Sequence, residues 1–140
     1  MRNVKDYIKI TKLNRKKDMQ SLEEGLGYHV GNAVAYHNGD EMRFITYLEF
    51  SAGQVKGNHY HKEKIENMAI IKGRLHAKYY FADNPEIFYK VDLNEGDIVS
   101  VMSGVAHAYL SDEGCSVIEF SPQRYDDLDV YKVDNMKGVF

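Results

Sequence analysis

Two histidines and a glutamate lie close together in the segment 53–73, GQVKGNHYHKEKIENMAIIKG. Side chains alternate between the two faces of a β-strand, so His59 and His61 project to the same side, about 7 Å apart along the backbone. Glu66 follows at the start of the next predicted strand, which can return beside the first. Imidazole nitrogens and a carboxylate on one face are a ligand set for a divalent metal. The segment therefore predicts a metal site.

A third histidine, His107, lies on a later predicted strand and is the fourth candidate ligand. Three imidazoles and a carboxylate suit Fe(II), Mn(II), Ni(II), Cu(II) or Zn(II), and no thiolate accompanies them to favour zinc. An H-x-H pair alone is a weak signal, because short motifs recur by chance. The surrounding pattern must therefore decide whether these residues act together.

The elements that position these residues are predicted to be short strands. Runs rich in Val, Ile, Tyr and Phe alternate with turn signals about every ten residues, which indicates an all-β barrel or sandwich with few or no helices. We expect an edge strand over 7–13, a charged loop over 14–27, and a tail from Pro122 that forms a short helix or a strap. Turns are expected at 37–40 (between strands over 30–36 and 41–51), 82–85, 94–97 and 111–114.

Composition limits the possible functions. The chain has 140 residues, of which 44% are hydrophobic and 28% charged, so we expect one folded domain over 1–140. The net charge is −3 and no basic patch stands out, which disfavours nucleic acid as a partner. No apolar run is long enough for a membrane span, and no signal-peptide core is present. The single cysteine, Cys115, excludes an internal disulfide and fits a reducing, cytoplasmic environment.

The spacing Gly53-x5-His59-x-His61-x4-Glu66-x6-Gly73 matches the first signature motif of the cupin superfamily along its whole length. The segment GDIVSVMSGVAH, which ends at His107, resembles the second motif in part. Methionine stands at position 102, where the family usually has proline, and serine at 111, where it usually has asparagine. The resemblance covers roughly residues 42–121.

This resemblance implies an antiparallel jelly-roll β-barrel with a core over about 30–121, on which the N-terminal edge strand and the C-terminal tail pack. It also implies that His59, His61, Glu66 and His107 converge in the barrel mouth around one divalent transition metal, such as Zn, Fe, Mn or Ni. The alternative is a hydrogen-bonded polar cluster without metal. The glycines of the two motifs are expected to be turn residues with no chemical role; they are Gly53, Gly73, Gly96 and Gly104.

The chain looks most similar to cupins that act as epimerases and ketoisomerases on nucleotide-linked keto-sugars in cell-surface polysaccharide synthesis. That likeness implies a small, sugar-derived substrate and proton abstraction next to a carbonyl. If a metal binds, His59 and His61 are not free to carry protons. The other candidates are therefore Tyr109, His76 and Tyr47 for catalysis, and Arg43, Lys56, Lys78 and Glu119 for substrate binding.

Other functions remain open at this point. The same ligand set supports an Fe(II)-dependent dioxygenase, a metal-dependent sugar-phosphate isomerase, or a non-catalytic module that binds a sugar or metabolite. Small barrels also hide sheet edges by pairing with a second copy, so we expect a homodimer that uses the strand over 7–13 or the apolar end 136–140.

Overall fold

The structure is a computed structural model that describes residues 2–12, 41–133 and 140. The predicted turn at 37–40, the strand over 30–36, the loop over 14–27 and most of the end 136–140 lie outside these residues. The described residues form nine antiparallel strands and two short 3-10 turns, which confirms the all-β prediction. The strands are β1 (Ile8–Thr11), β2 (Phe44–Phe50), β3 (Val55–Tyr60), β4 (Glu66–Phe81), β5 (Asn84–Asn94), β6 (Ile98–Val101), β7 (Ala106–Leu110), β8 (Cys115–Ser121) and β9 (Tyr131–Lys132), with 3-10 turns at Val4–Tyr7 and Asp127–Asp129.

Two sheets face each other and share the long strand β4. The first part of β4 pairs with β6 and β8, which builds sheet A in the order β1-β6-β4-β8-β2. The second part pairs with β5 and β7, which builds sheet B in the order β5-β4-β7-β3-β9. A single strand therefore joins the two sheets.

Gly73 marks the place where β4 passes from one sheet to the other. Its φ is +90°, a conformation that side chains with a Cβ rarely adopt. Before this point Met68 and Ile70 belong to the core, and after it Leu75 and Ala77 do. A β-bulge between Ile70 and Lys72 inserts one extra residue just before Gly73. The interior-facing positions therefore change from even to odd numbers, so both parts of β4 present apolar side chains to the same core.

The core fills the space between the sheets with aliphatic and aromatic side chains. Tyr79, Leu93, Val99 and Val117 are fully buried there. Alternate residues of β2 face the same space, since Leu48 packs on this cluster while the positions on either side of it are exposed. Burying such side chains is the main favourable contribution to folding, about 1.5–3 kcal/mol for each one.

The predicted turns within the described residues are present. Phe81 pairs with Asn84, so the turn between β4 and β5 is shorter than predicted, and Pro85 lies inside β5. The turns at 94–97 and 111–114 are each closed by an internal hydrogen bond.

The two ends of the described chain also agree with the predictions. β1 is an edge strand that, among the described strands, pairs only with β6. The tail contains both a 3-10 turn and a short strand, β9, which pairs with β3. The homodimer stays a prediction, which size-exclusion chromatography with light scattering can check. Within the described ranges, no helix has the length and apolar character needed to cross a membrane.

Replacing Gly73 by alanine is expected to destabilise the fold by more than about 1 kcal/mol. An added Cβ would lie 2.5 Å from the carbonyl oxygen of Gly114, in addition to the strain of a positive φ. Gly53→Ala is the matched control, because Gly53 also has a positive φ but no atom lies within 4 Å of the added Cβ. Urea denaturation measures both variants, and equal losses would contradict the importance of the close contact at Gly73.

Candidate functional site

Four predicted ligands meet between the two sheets. His59 is on β3 and His61 directly follows that strand, while His107 is on the neighbouring strand β7, opposite His59. Glu66 begins β4 and reaches the same place from sheet A. One ligand atom from each of these four residues lies within 4.8 Å of all the others. The structure therefore brings together the set that the sequence motif predicts.

The two buried histidines are oriented by the backbone. His61 Nδ1 lies 2.7 Å from the carbonyl oxygen of Asp129, and His107 Nδ1 lies 3.1 Å from that of Val105. A carbonyl oxygen can only accept a hydrogen bond, so each Nδ1 carries a proton and donates it. Each Nε2 is then turned toward Glu66. Within the described part of the chain, both Nε2 atoms are buried without a hydrogen-bond partner.

Glu66 lies between the two Nε2 atoms. Its Oε2 is 3.0 Å from His107 Nε2, and its Oε1 is 3.7 Å from His61 Nε2. Burial by itself would raise the pKa of this carboxyl group. When His107 also carries a proton on Nε2, its positive charge, together with the neighbouring His61 and Glu119, outweighs burial and holds the pKa of Glu66 well below its usual value. Glu66 is therefore an anion at neutral pH, as a metal ligand must be.

His59 is the partly exposed member of the set. Burial, followed by the neighbouring His107, lowers the pKa of His59 to about 4. Its ring centroid is 5.0 Å from that of His61 and 4.9 Å from that of His107. A neutral imidazole at this position has a lone pair available at physiological pH, either for a metal or for a proton.

Two further charged side chains line the same interior. Glu119 is on β8, and its Oε2 accepts a hydrogen bond from Lys64 Nζ at 3.0 Å. Burial, and next the charge of Glu66, raises the pKa of Glu119 to about 8, against the effect of Lys64. Glu119, a candidate for substrate binding, thus faces the interior. Sequence reasoning missed Lys64, because it lies in the charged run KEK, which has the appearance of a solvated loop.

Tyr109 points into the core beside the histidines, as the alternation along β7 predicts. Its ring centroid is 5.7 Å from that of His107. Its hydroxyl group lies 3.2 Å from that of Tyr79, and burial raises the pKa of Tyr109 well above its usual value. Among the described residues, Tyr79 is therefore the hydrogen-bond partner of the Tyr109 hydroxyl group. Tyr79 was not among the candidates selected from the sequence.

Lys56 lies on the interior side of β3, opposite Tyr109. Its ammonium group donates a hydrogen bond to the carbonyl oxygen of Glu49 at 2.7 Å and lies 5.0 Å from the ring centre of Phe50. The ammonium group of Lys56 is therefore held at the β2 side of the barrel by contacts within the protein. Its contact with a substrate stays a prediction.

Arg43 and Tyr47, the candidates for substrate binding and catalysis, do not line the interior. Tyr47 lies on the exposed outer face of β2, and Arg43 is exposed directly before that strand. Arg43 forms an ion pair with Glu41 at 2.8 Å, and the Tyr47 hydroxyl donates to Glu49 Oε1 at 2.9 Å. The predicted alternation is correct, but the other face of the strand packs on the core.

His76 and Lys78, the candidates on β4, also point away from the core, although Lys78 is buried. The β-bulge between Ile70 and Lys72 changes the alternation, so that the odd-numbered residues after it, such as Ala77 and Tyr79, face the core. His76 bridges two carboxylates, with Nδ1 2.6 Å from Asp92 and Nε2 2.6 Å from Asp112. The ammonium of Lys78 lies 4.4 Å from the ring centre of Phe88.

A substitution of His76 by asparagine is expected to destabilise the protein more at pH 6 than at pH 9. The hydrogen bonds to Asp112 and Asp92 raise the pKa of His76 above its usual value of 6.5. The contribution is therefore complete below pH 6.5 and is lost as pH rises through the raised pKa. Thermal unfolding of wild type and variant at both pH values measures this. Asp112→Asn should reduce the difference, and a gap that does not change with pH would contradict the ionic bridge.

Comparison with known proteins identifies the family. The sequence model of one protein family, the polysaccharide biosynthesis C-terminal domain, matches residues 31–126, which is more than half of the sequence. The chain belongs to this family. The match includes all four residues of the histidine and glutamate set. A search of curated proteins gave no match.

Solved structures share the fold. The sugar 3,4-ketoisomerase QdtA from Thermoanaerobacterium thermosaccharolyticum, in complex with TDP, is 13% identical, with a TM-score of 0.65 over 90% of this chain and 88% of that chain. The dTDP-4-dehydrorhamnose 3,5-epimerase from Sulfolobus tokodaii is 23% identical, with a TM-score of 0.55 over 64% and 57%. The capsular polysaccharide assembling protein CapF from Staphylococcus aureus is 19% identical, with a TM-score of 0.60 over 70% of this chain.

These similarities confirm the predicted cupin fold. At these identities they establish the fold alone. The match also spans only 28% of the length of CapF, so this chain corresponds to a fraction of that longer protein. What the site does must therefore be argued from its own residues.

Proposed function

We propose that this chain holds one divalent transition metal through His59, His61, Glu66 and His107, and acts as an isomerase or epimerase on a nucleotide-linked keto-sugar in polysaccharide synthesis. The observation that carries the proposal is the pair of buried Nε2 atoms without hydrogen-bond partners in the described chain, both facing a buried carboxylate. A buried polar atom without a partner costs about 1–3 kcal/mol, so such a pair calls for an explanation.

The donor set fits a metal. In metal sites the ligating histidine usually donates its other N–H to a carbonyl or carboxylate, which fixes the ring and its tautomer. His61 and His107 both follow this pattern through their Nδ1 atoms. Three nitrogens and one carboxylate oxygen suit Zn, Fe, Mn or Ni, and the donors alone do not distinguish these metals.

The substrate class is supported by the family and by the relatives of known structure. The family model describes polysaccharide biosynthesis, and the relatives include a ketoisomerase bound to TDP and an epimerase of a dTDP-linked keto-sugar. Both reactions remove a proton from a carbon next to a carbonyl. The ketoisomerase and the epimerase then differ in where the proton returns. One set of side chains can therefore serve either reaction.

Glu119 is the acid–base group best placed to carry that proton. It lies next to Glu66 without belonging to the ligand set, and in the metal-free site burial, and next the charge of Glu66, raises its pKa to about 8. The ammonium of Lys64, 3.0 Å away, stabilises the carboxylate form after Glu119 releases a proton. The bound metal would act as a Lewis acid that polarises the substrate carbonyl.

Elemental mass spectrometry of protein purified without a histidine tag is expected to find near-stoichiometric metal. A His59→Ala, His61→Ala double variant should lose it, because half of the donors are gone. His76→Ala is the matched control, since that histidine lies outside the barrel, and it should keep the metal. Wild-type protein that stays metal-free after reconstitution would refute the metal centre and leave His59 and His61 free as proton carriers.

Proton exchange tests the reaction. Incubation with TDP-4-keto-6-deoxyglucose in D₂O is expected to place deuterium on a carbon of the sugar ring, as mass spectrometry or NMR can show. Glu119→Gln should slow the exchange about 10²–10⁴-fold, the usual contribution of a general acid or base, while the metal content stays unchanged. An iron-loaded protein that consumes O₂ with a small-molecule substrate and exchanges no proton would instead support the dioxygenase.

A further inference from the structure

The loop between β3 and β4, residues 61–65, joins two of the proposed ligands. His61 begins this loop, and Glu66 directly follows it. Residues 61–65 lie between the two strands and outside both. The backbone N–H groups of residues 62–65 donate hydrogen bonds to side chains of a later segment, residues 123–133. We call residues 126–133 of this segment the strap.

Asp129 of the strap binds three successive backbone N–H groups of the loop with one carboxylate. Oδ1 accepts from Lys62 N at 2.8 Å, and Oδ2 accepts from Lys64 N at 3.1 Å. The N–H of Glu63 lies between them, 3.3 Å from one oxygen and 3.2 Å from the other. Burial would raise the pKa of Asp129, but these bonds outweigh it and lower the pKa. Successive N–H groups that converge in this way form an anion-binding nest.

The same residue also orients a proposed ligand. The backbone carbonyl oxygen of Asp129 accepts the Nδ1 proton of His61 at 2.7 Å. One buried residue thus holds the ring of His61 from its backbone and the rest of the loop from its side chain. A neighbouring residue completes the support, because Gln123 Oε1 accepts from Ile65 N at 2.9 Å.

The strap is anchored beyond Asp129 as well. β9 pairs with β3, where Lys132 lies opposite His59. The side chain and backbone of Asn58 form two hydrogen bonds with Val133, at 2.9 and 3.0 Å. The strap therefore contacts the backbone on both sides of the H-x-H pair. Apart from its first residue, Asp126, the strap lies beyond residues 31–126, the part of the chain that the family model matches.

We propose that the strap is a positioning element of the metal centre, in which Asp129 sets both the conformation of the loop 61–65 and the tautomer of His61. The inference rests on the proposed metal site. Because a displaced strap would release the loop and the His61 ring together, docking of the strap and binding of the metal stabilise each other. Such coupling is reciprocal by thermodynamic necessity.

Two titrations of the metal-free full chain test this coupling. In the first, Co(II) is added and its absorption spectrum is recorded. In the second, Zn(II) is added in competition with a chromophoric chelator. Asp129→Asn should lower the affinity for both metals on the order of 10-fold or more, which is the usual effect of removing a partner of a metal ligand. It should also alter the Co(II) spectrum. An amide offers one acceptor oxygen, and its NH₂ group would face backbone N–H donors. Asp127→Asn is the matched control, because Asp127 lies exposed in the same 3-10 turn and the substitution changes charge equally.

Hydrogen exchange gives a second measurement without activity. The amides of Lys62, Glu63 and Lys64 should exchange faster in Asp129→Asn than in Asp127→Asn, and metal should slow them in wild type. A variant that loses thermal stability but keeps the wild-type affinity and Co(II) spectrum would show a structural role only and overturn the inference. Wild-type protein that binds neither metal would overturn the proposed metal site and the inference with it, and that result is known before any variant is compared.

Discussion

The structure depends on one strand that belongs to two sheets. β4 runs for 16 residues and passes from sheet A to sheet B at Gly73, so it connects the two sheets that enclose the core. Each half of the strand has a different set of inward-facing residues, so both sheets can bury apolar side chains in one core. The same geometry places Glu66 at the start of β4 on sheet A, across from His59 and His107 on sheet B. The site therefore exists only because the two sheets close on each other.

Concentrating polar groups in such an interior has an energetic cost. Removing an ion from water costs several kcal/mol even after the surroundings relax. Here the anion Glu66 lies beside imidazole rings, and Glu119 lies against the ammonium of Lys64. His107 is the main group that lowers the pKa of Glu66, whereas burial, and next the charge of Glu66, raises the pKa of Glu119. A divalent cation among these donors would offset much of this cost.

Many chemistries occur on the cupin barrel, and sequence identities of 13–23% to solved relatives do not choose among them. We infer a keto-sugar reaction from the family, and a metal from the orientation of individual nitrogen atoms. The strap adds a third element. It forms hydrogen bonds with His61 and with Lys62, so the C-terminal part of the described chain contacts the candidate ligands even though it lies beyond the family match.

Local rules were sufficient to predict much of this protein from its sequence. The common side of His59 and His61, the turns at 94–97 and 111–114, and the motif that joins Glu66 and His107 depend on neighbours along the chain or on a recognisable spacing. Tertiary structure alone decided which face of each strand is inside. Tyr47 and His76 were selected as candidates although they point away from the core, because alternation defines two faces and does not say which one meets the core. Lys64 and Asp129 could not be selected either, since they meet only when strands distant in sequence pair and bring the strap against the loop.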